Sequence, residues 1–296
     1  MDVPTVLACG NTAVTPCAFR DDSCALVRRT TLPPVKKRLD VLLVERGLAE
    51  SRSQAQALVL AGRVRGFSKA GAQVDDAAEL ELVERPRYVS RGGEKLAHAI
   101  EVLTAVVTDE ACLDVGASTG GFTDCLLQHG AARVCALDVG RAQLHERLRA
   151  DPRVTVIEGV NARRLSCEQL PFRPGFVTCD VSFISVRAAL PPALTCAGAG
   201  GSPWRALVLV KPQFEAGRAE AGRGVVRDPE VHLRVLRDLA AEAQGWGLDG
   251  CRVVASCDSG LPGPKGNREF FLFLAAGLPP SSTDEIETIV GAAVGA

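Results

Sequence analysis

The sequence predicts a doubly wound α/β domain with a mostly parallel sheet, preceded by a small α+β module. From about residue 110, seven short apolar runs alternate with helical stretches, which is the pattern of parallel strands covered by helices. A glycine-rich stretch, "LDVGASTGGFTD", follows the first apolar run and opens a helix, as ligand-binding loops of such sheets do. The small module is indicated by a helix-turn-helix pattern in "RLDVLLVERGLAESRSQAQALVLAG", followed by strand-like pieces.

Composition narrows the class of protein. The chain has 296 residues, a net charge of -1 and a hydrophobic share of 47%, as ordinary globular proteins do. No apolar run reaches the roughly 20 residues that span a bilayer, and the N-terminus lacks the basic region of a signal peptide. The 11 cysteines include no C-x-x-C pair. We therefore expect buried, reduced thiols, no metal site, no membrane partner and a cytoplasmic location.

Five segments are predicted along the chain. Residues 1–34 lack hydrophobic periodicity and are expected to form a disordered extension. The small module covers residues 36–84, and residues 85–91 are a linker. The α/β domain covers residues 92–276, and residues 277–296 form a C-terminal tail.

The small module has a basic character that the whole chain lacks. Leu39, Leu42 and Leu43 mark the apolar face of its first helix, and Ser51 with Gln54 forms a capping-box pattern for its second. From residue 36 to 69 there are eight basic and three acidic residues. Either these charges form a solvated helix face or they contact phosphates. The candidates for phosphate contact are Arg38, Arg52, Arg63 and Arg65.

The α/β domain is expected to contain seven strands. Its helical candidates are Phe122–His129, Arg141–Arg149, Val186–Leu194 and Pro229–Gln244. No helix lies between the last two strands, which are joined by "DSGLPGPKGN". This connection predicts a closing hairpin with an antiparallel last strand.

The glycine-rich stretch predicts a cofactor loop. Gly116, Gly120 and Gly121 permit a tight turn and close approach to a ligand. The pattern is neither G-x-G-x-x-G nor a P-loop. Asp138 ends the second strand, where a carboxylate can accept hydrogen bonds from ribose hydroxyls. Together these features favour a cofactor that contains a nucleoside but no pyrophosphate.

Four ionisable residues are predicted to converge beyond the strand ends. Asp180 ends the fourth strand and Lys211 the fifth, so both should face the crevice in which such sheets bind ligands. An antiparallel last strand would bring Glu269, at its start, to the same rim. Lys95, in "YVSRGGEKL", would complete two lysines and two carboxylates. For each residue singly, a salt bridge at the rim is the alternative.

An ordered set of motifs resembles the TlyA (hemolysin A) family, which joins an S4-type RNA-binding domain to an FtsJ-like methyltransferase. The matching stretches, over about residues 36–275, are "RLDVLLVERGLAESRSQAQALVLAGRV", "YVSRGGEKL", "LDVGASTGGFTDCLLQHGA", "DVSFIS", "VKPQFEAGR", "GVVRDP" and "GPKGNREFFL". The resemblance implies a Rossmann-like class I methyltransferase fold with a seven-stranded sheet. It also implies S-adenosylmethionine-dependent 2'-O-methylation of cytidine ribose in 16S or 23S ribosomal RNA.

Residue roles follow from the same resemblance. It implies a catalytic tetrad of Lys95, Asp180, Lys211 and Glu269. The residues expected at the cofactor are Asp114, Gly116, Ala117, Ser118, Gly120, Gly121, Phe122, Asp138, Asn161 and Asp180. Ribosomal RNA or a ribosomal subunit is the expected partner, with Arg91, Arg218 and Arg223 as further RNA contacts. Lys211 would act either as a neutral base or as a charged group that orients the ribose oxygen.

Two other functions share parts of this pattern. A nicotinamide dehydrogenase would have the same sheet and an acid like Asp138, but it would need a G-x-G-x-x-G turn and would leave Asp180 and Lys211 unexplained. A non-catalytic RNA-binding or ribosome assembly protein would need the basic module but not four placed ionisable residues.

Overall fold

The computed structural model describes residues 36–60, 63–83, 86–222 and 224–295. The chain divides into two compact units, Met1–Glu84 and Arg85–Ala296. The predicted extension, residues 1–34, lies outside the described residues.

The first unit packs two helices on a short antiparallel ribbon. Its elements are β1 (Lys36–Arg38), α1 (Leu39–Glu45), α2 (Arg52–Leu60) and β2 (Gln73–Asp75). Strands β1 and β2 pair antiparallel. Leu39, Leu42 and Leu43 are buried in a core with Ala55 and Val59, so the predicted apolar faces meet as the helical period requires.

The second unit is a seven-stranded sheet with helices on both faces. The strand order is β5-β4-β3-β6-β7-β9-β8, and only the two pairings of β9 are antiparallel. The predicted mostly parallel sheet with an antiparallel last strand is therefore confirmed. In chain order the elements are α3 (Arg91–Val102), β3 (Ala111–Val115), α4 (Gly121–Gln128), β4 (Arg133–Asp138), α5 (Glu146–Arg149), β5 (Val154–Glu158), β6 (Phe176–Cys179), α6 (Val186–Ala189), α7 (Pro191–Ala197), β7 (Arg205–Val210), α8 (Pro212–Glu215), α9 (Arg218–Ala221), α10 (Pro229–Ala243), β8 (Arg252–Asp258), β9 (Phe270–Ala275) and α11 (Thr283–Val294).

Burial on both faces explains the continuous apolar runs of the central strands. Along β7, Ala206, Val208 and Val210 belong to the core cluster that contains residues of α7, α10 and α11. Leu207 and Leu209 belong to the opposite cluster, with residues of α3 and α4. Parallel strands covered on both sides have this composition.

Two predicted helices are shorter or divided. Of Arg141–Arg149, only α5 (Glu146–Arg149) is helical. Val186–Leu194 is divided into α6 and α7 at Leu190, because Pro191 begins the second helix and proline is suited to a first helical position rather than an interior one. Residues 283–294, in the segment expected as a tail, form α11, which packs on α10 and β8.

The expectation of reduced cysteines is wrong for one pair. Cys167 and Cys196 form a disulfide between a 3-10 turn (Cys167–Gln169) and α7. A separation of 29 residues in the chain gave no indication of this pairing. Six further cysteines are free and buried: Cys112, Cys125, Cys135, Cys179, Cys251 and Cys257.

The paired glycines of "YVSRGGEKL" lie in the first turn of α3. A Cβ on Gly93 would lie 2.3 Å from the Cβ of Tyr88, which is buried. A Cβ on Gly92 would meet its nearest atom, the Ser90 Oγ, at 3.4 Å. Gly93 is therefore required by close packing, whereas Gly92 is not. Lys95 lies in the second turn, because the helix begins at Arg91.

These neighbouring glycines predict opposite effects on stability. Gly93→Ala should lower the free energy of unfolding by about 1–3 kcal/mol, because it overpacks a buried aromatic ring. Gly92→Ala is the matched control and should be neutral or stabilising by up to about 1 kcal/mol, since alanine favours a helix. Urea denaturation of both variants checks this. Equal effects from the two substitutions would contradict the packing argument.

Candidate active site

The glycine-rich stretch forms the turn from β3 into α4. Gly116 has a φ of +85°, and a Cβ there would lie 2.5 Å from the carbonyl oxygen of Asp180. Gly120, with a φ of +95°, leaves room for the side chains of Leu144 and Leu148. Glycine is needed at both positions because of the left-handed backbone and the close neighbours. The turn is therefore held directly against the end of β6.

Asp138 fixes the other side of this turn. Its Oδ2 accepts a hydrogen bond from the Ser118 amide at 2.7 Å, and its Oδ1 accepts one from the Gly140 amide at 2.6 Å. A carboxylate has about four lone-pair positions, so two acceptor positions remain for a ligand. Asp138 lines a cavity of about 570 Å³, a volume within the range of cofactor sites.

This cavity, which we call the first cavity, is lined by both polar and apolar residues. Five predicted cofactor residues line it: Gly116, Ser118, Asp138, Asn161 and Asp180. Its apolar lining residues are Leu137, Val139, Val160, Ala162, Val181, Phe183 and Ile184. This combination fits a nucleoside whose ribose meets Asp138 and whose base lies between aliphatic side chains.

The remaining predicted cofactor residues lie elsewhere. Ala117, Gly121 and Phe122 line a second cavity, of about 540 Å³. Asp114 is fully buried and lines neither cavity. Its carboxylate accepts hydrogen bonds from the Thr123 hydroxyl at 2.7 Å and the Thr178 hydroxyl at 3.1 Å. Asp114 thus connects β3 to α4 and β6 through buried hydrogen bonds.

The second cavity is where the four predicted ionisable residues meet. The Lys95 Nζ lies 2.5 Å from the Glu269 Oε2, and the Lys211 Nζ lies 2.5 Å from the Asp180 Oδ1. Strand geometry explains the meeting, because antiparallel β9 pairs Phe270 with Val210. The residue before β9 is thereby placed beside the residue after β7. All four side chains line this cavity.

The two ion pairs differ in exposure. The side chains of Lys95 and Glu269 are 8% and 0% exposed, and those of Lys211 and Asp180 are 12% and 25% exposed. The Glu269 Oε1 is buried without a hydrogen-bond partner in the described part of the chain. Buried charges are usually paired and fully hydrogen-bonded. The unpaired Oε1 lies against Gly263, where an added Cβ would approach it to 2.0 Å, so it is enclosed by the protein.

Sequence reasoning missed two residues of the site, Ser182 and Phe183. Ser182 lines both cavities, and its Oγ accepts a hydrogen bond from the Lys211 Nζ at 2.8 Å. Phe183 is 89% exposed and has a φ of +67°. Its ring centroid lies 5.4 Å from that of Phe214. Both residues belong to the motif "DVSFIS". A sequence pattern does not distinguish an exposed aromatic residue from one in the core.

The predicted RNA-contacting arginines are exposed to different extents. Arg38 and Arg52 bind the buried carboxylate of Asp40, with side chains 46% and 57% exposed. The hydrogen bond from Arg38 holds the pKa of Asp40 well below its ordinary value. Arg65 pairs with Glu81 and is 68% exposed. Asp40 thus orders two of the predicted RNA contacts.

Four further arginines were predicted to contact RNA. Arg63 donates to the Val83 carbonyl. Arg91 lines the second cavity, and its Nη2 donates to the Pro262 carbonyl at 2.5 Å. Arg218 begins α9, and Arg223 lies outside the described residues.

The described residues contain neither a metal-binding cluster nor a membrane-spanning helix. In residues 36–60, 63–83, 86–222 and 224–295, no group of three or more His, Cys, Asp or Glu residues has a metal-binding arrangement. None of the described helices combines the length and apolar character of a transmembrane segment.

Comparison with known families identifies the class. The family described as FtsJ-like methyltransferase matches residues 88–276, and the S4 domain family matches residues 37–65. The fold and the sequence together define a methyltransferase of the FtsJ-like class that carries an S4 domain.

Individual relatives specify the family further. The chain is 45% identical over 246 residues to the "16S/23S rRNA (cytidine-2'-O)-methyltransferase TlyA" of Mycobacterium tuberculosis, covering 81% of this chain and 90% of that protein. It is 40% identical to "Hemolysin A" of Brachyspira hyodysenteriae, over 79% and 97%. A solved structure described as a hemolysin, from Streptococcus thermophilus, has a TM-score of 0.66 at 40% identity, over 87% and 95%. The chain belongs to the TlyA (hemolysin A) family, as its motifs predict.

The environment of Asp114 predicts a pH effect on stability. Burial raises its pKa to about 7, and the two threonine hydroxyls limit the increase. In an unfolded chain an aspartate has a pKa of about 3.9. The folded protein therefore binds more protons between about pH 4 and 7, so its free energy of unfolding should fall as pH rises through this window.

Asp114→Asn should remove that part of the pH dependence, because the amide does not titrate. Asp151→Asn is the control: the hydrogen bond from Arg153 lowers the pKa of Asp151, so this group titrates below the window. Urea denaturation at several pH values from 5 to 7 measures the slopes. An unchanged slope in Asp114→Asn would contradict the assignment.

Proposed function

We propose that this protein transfers a methyl group from S-adenosylmethionine to the 2'-hydroxyl of a cytidine ribose in ribosomal RNA. The observation that carries the proposal is the meeting of the Lys95–Glu269 and Lys211–Asp180 pairs in one cavity beside a nucleoside-sized one. The names of the relatives, which specify ribosomal RNA and cytidine 2'-O-methylation, support the substrate.

The first cavity is the proposed cofactor site. Asp138 would accept hydrogen bonds from the ribose hydroxyls, and Asn161 would contact the base from the cavity wall. When bound, S-adenosylmethionine supplies an electrophilic methyl group. Asp180 and Ser182 line both cavities, so the reacting groups would meet beside these residues.

Lys211 is the proposed group nearest the substrate hydroxyl. An ammonium has three N–H donors. One is donated to the Ser182 Oγ, and the Asp180 Oδ1 lies 2.5 Å away as an ion-pair partner, so a donor remains for the ribose oxygen. Of the two roles predicted for Lys211, we assign the orienting one. Lys211 would orient a lone pair of the 2'-oxygen toward the methyl group that S-adenosylmethionine would supply, and the hydroxyl proton would leave late, to solvent.

The buried pair has a supporting role in this scheme. Glu269 holds Lys95 in the wall of the second cavity. Fixed there, the Lys95 ammonium would help to place the ribose relative to Lys211. Alignment of this kind is a large part of catalysis for a weak nucleophile.

Phe183 would hold the target nucleotide. Proteins that act on single nucleotides in RNA stack unpaired bases on aromatic side chains. An exposed ring beside Lys211, supported by Phe214, is suited to this contact.

The role of Lys211 predicts a kinetic effect. Lys211→Ala should lower the rate of methyl transfer by about 10²–10⁴-fold, because the ribose oxygen loses its donor. Tritiated methyl transfer to unmethylated ribosomal subunits measures the rate. Binding of S-adenosylhomocysteine, measured by calorimetry, should change little and is the control for folding. Near-normal transfer by this variant would contradict the assignment.

The S4 unit predicts an electrostatic effect on RNA binding. The double substitution Arg52→Gln and Arg65→Gln should weaken binding to ribosomal RNA and reduce the slope of log affinity against log salt by about 0.7–0.9 per lost phosphate contact. Glutamine preserves a donor for Asp40. Arg234→Gln is the control, because Arg234 pairs with Glu220 on the methyltransferase unit. An unchanged slope in the double variant would refute these contacts.

The non-catalytic alternative is decided by the same methyl-transfer assay. Wild-type protein that binds ribosomal RNA and S-adenosylhomocysteine but transfers no methyl group would favour an assembly role. Mapping of 2'-O-methyl groups on ribosomal RNA, with and without the protein, would then identify the modified nucleotide or show that none exists.

A further inference from the structure

Glu215 is a buried carboxylate outside the predicted tetrad. It ends α8, four residues after Lys211, and its side chain is 1% exposed. It accepts hydrogen bonds from the Ser185 hydroxyl at 2.6 Å, the Val186 amide at 2.8 Å and the Arg187 Nη1 at 3.1 Å. A buried carboxylate is unfavourable unless its oxygens are satisfied in this way. These three donors belong to the segment that follows Asp180 in the chain.

The residues just before these donors, the Asp180–Ile184 segment, include the two whose side chains bind the Lys211 Nζ, Asp180 and Ser182. The segment leaves β6 at Asp180, whose amide donates to the Val115 carbonyl at 2.9 Å. It is followed by Ser185, which donates a hydrogen bond to Glu215. Between these two attachments lie Ser182 and Phe183, the latter in the left-handed region. A non-glycine residue remains in that region only where its surroundings fix it.

We propose that Glu215 is a positioning residue, which holds the Asp180–Ile184 segment in the conformation in which Asp180 and Ser182 both reach Lys211. Glu215 and Lys211 lie on one short stretch, since Pro212 ends the strand and begins α8. The carboxylate therefore attaches the Asp180–Ile184 segment to the element that carries the lysine. Glu215 itself does not line the first or the second cavity, so it acts through the residues it holds.

A matched control exists on the same arginine. The Arg187 Nε pairs at 2.6 Å with Glu242 of α10, whose side chain is 47% exposed. Removing Glu242 takes away one carboxylate from Arg187 but leaves the Asp180–Ile184 segment attached. A comparison of Glu215 and Glu242 variants thus separates positioning from general charge loss.

The inference rests on the proposed methyl transfer and predicts a separation of kinetic constants. Glu215→Ala should lower the rate of methyl transfer at saturating substrates by about 10²-fold, as a displacement of about 1 Å can. The KM for S-adenosylmethionine should change much less, because most of the first cavity is formed by other segments. Glu215→Gln keeps an acceptor for Ser185 and Val186 and should recover part of the rate. Glu242→Gln should behave as wild type.

Hydrogen exchange provides a readout that does not depend on activity. The Val186 amide should exchange faster in Glu215→Ala than in Glu242→Ala, because only the first variant removes its acceptor. If the wild-type protein transferred no methyl group, the proposed function would be refuted. The exchange rate of the Val186 amide would still show whether Glu215 holds the Asp180–Ile184 segment.

Three results would overturn the inference itself. The first is an unchanged rate in folded Glu215→Ala. The second is a rise in the KM for S-adenosylmethionine that matches the loss of rate, because Glu215 would then shape the cofactor site. If Glu215→Ala does not fold, an unchanged rate in the folded double variant Ser185→Ala and Arg187→Met, which removes two of the three donors to Glu215, would be the third.

Discussion

The buried ion pair between Lys95 and Glu269 connects the two ends of the methyltransferase unit. The residues are 174 positions apart in sequence, on the first helix and just before the last strand. Removing one partner of such a buried pair typically costs about 3–5 kcal/mol, because the other charge is left without compensation. The strand order serves the same contact, since only an antiparallel β9 between β7 and β8 brings Glu269 to the edge where β6 and β7 end.

The two cavities form one site because the backbone of the turn after β3 lies directly against the end of β6. Gly116 contacts the end of β6, and Asp138 holds the Ser118 amide, so the turn after β3 is fixed between β4 and β6. Asp114 strengthens this arrangement from below through two threonine hydroxyls. A change at the turn would therefore alter the first cavity and the position of Asp180 together.

In the S4 unit a carboxylate again organises positive charge. Asp40 is fully buried and accepts hydrogen bonds from Arg38, Arg52 and Gln56. The two guanidinium groups remain about half exposed, and so can contact phosphates while their orientation is fixed. Pre-ordered arginines lose less conformational entropy on binding than free ones.

The sequence by itself determined the strand and helix order, the cofactor turn and the ionisable residues at the strand ends. These features are local: apolar periodicity, glycines at a turn and a charge that ends an apolar run are visible in a few neighbouring residues. Only the tertiary structure decided that Gly93 is needed for Tyr88, that Cys167 meets Cys196, that Asp114 is buried and that Phe183 is exposed. Each of these depends on residues distant in the chain, whose meeting is set by how the helices pack on the sheet. Lys95 combines both cases: its motif and the expected antiparallel last strand placed it near Glu269, but only the packing of α3 on the sheet set the 2.5 Å contact and its burial.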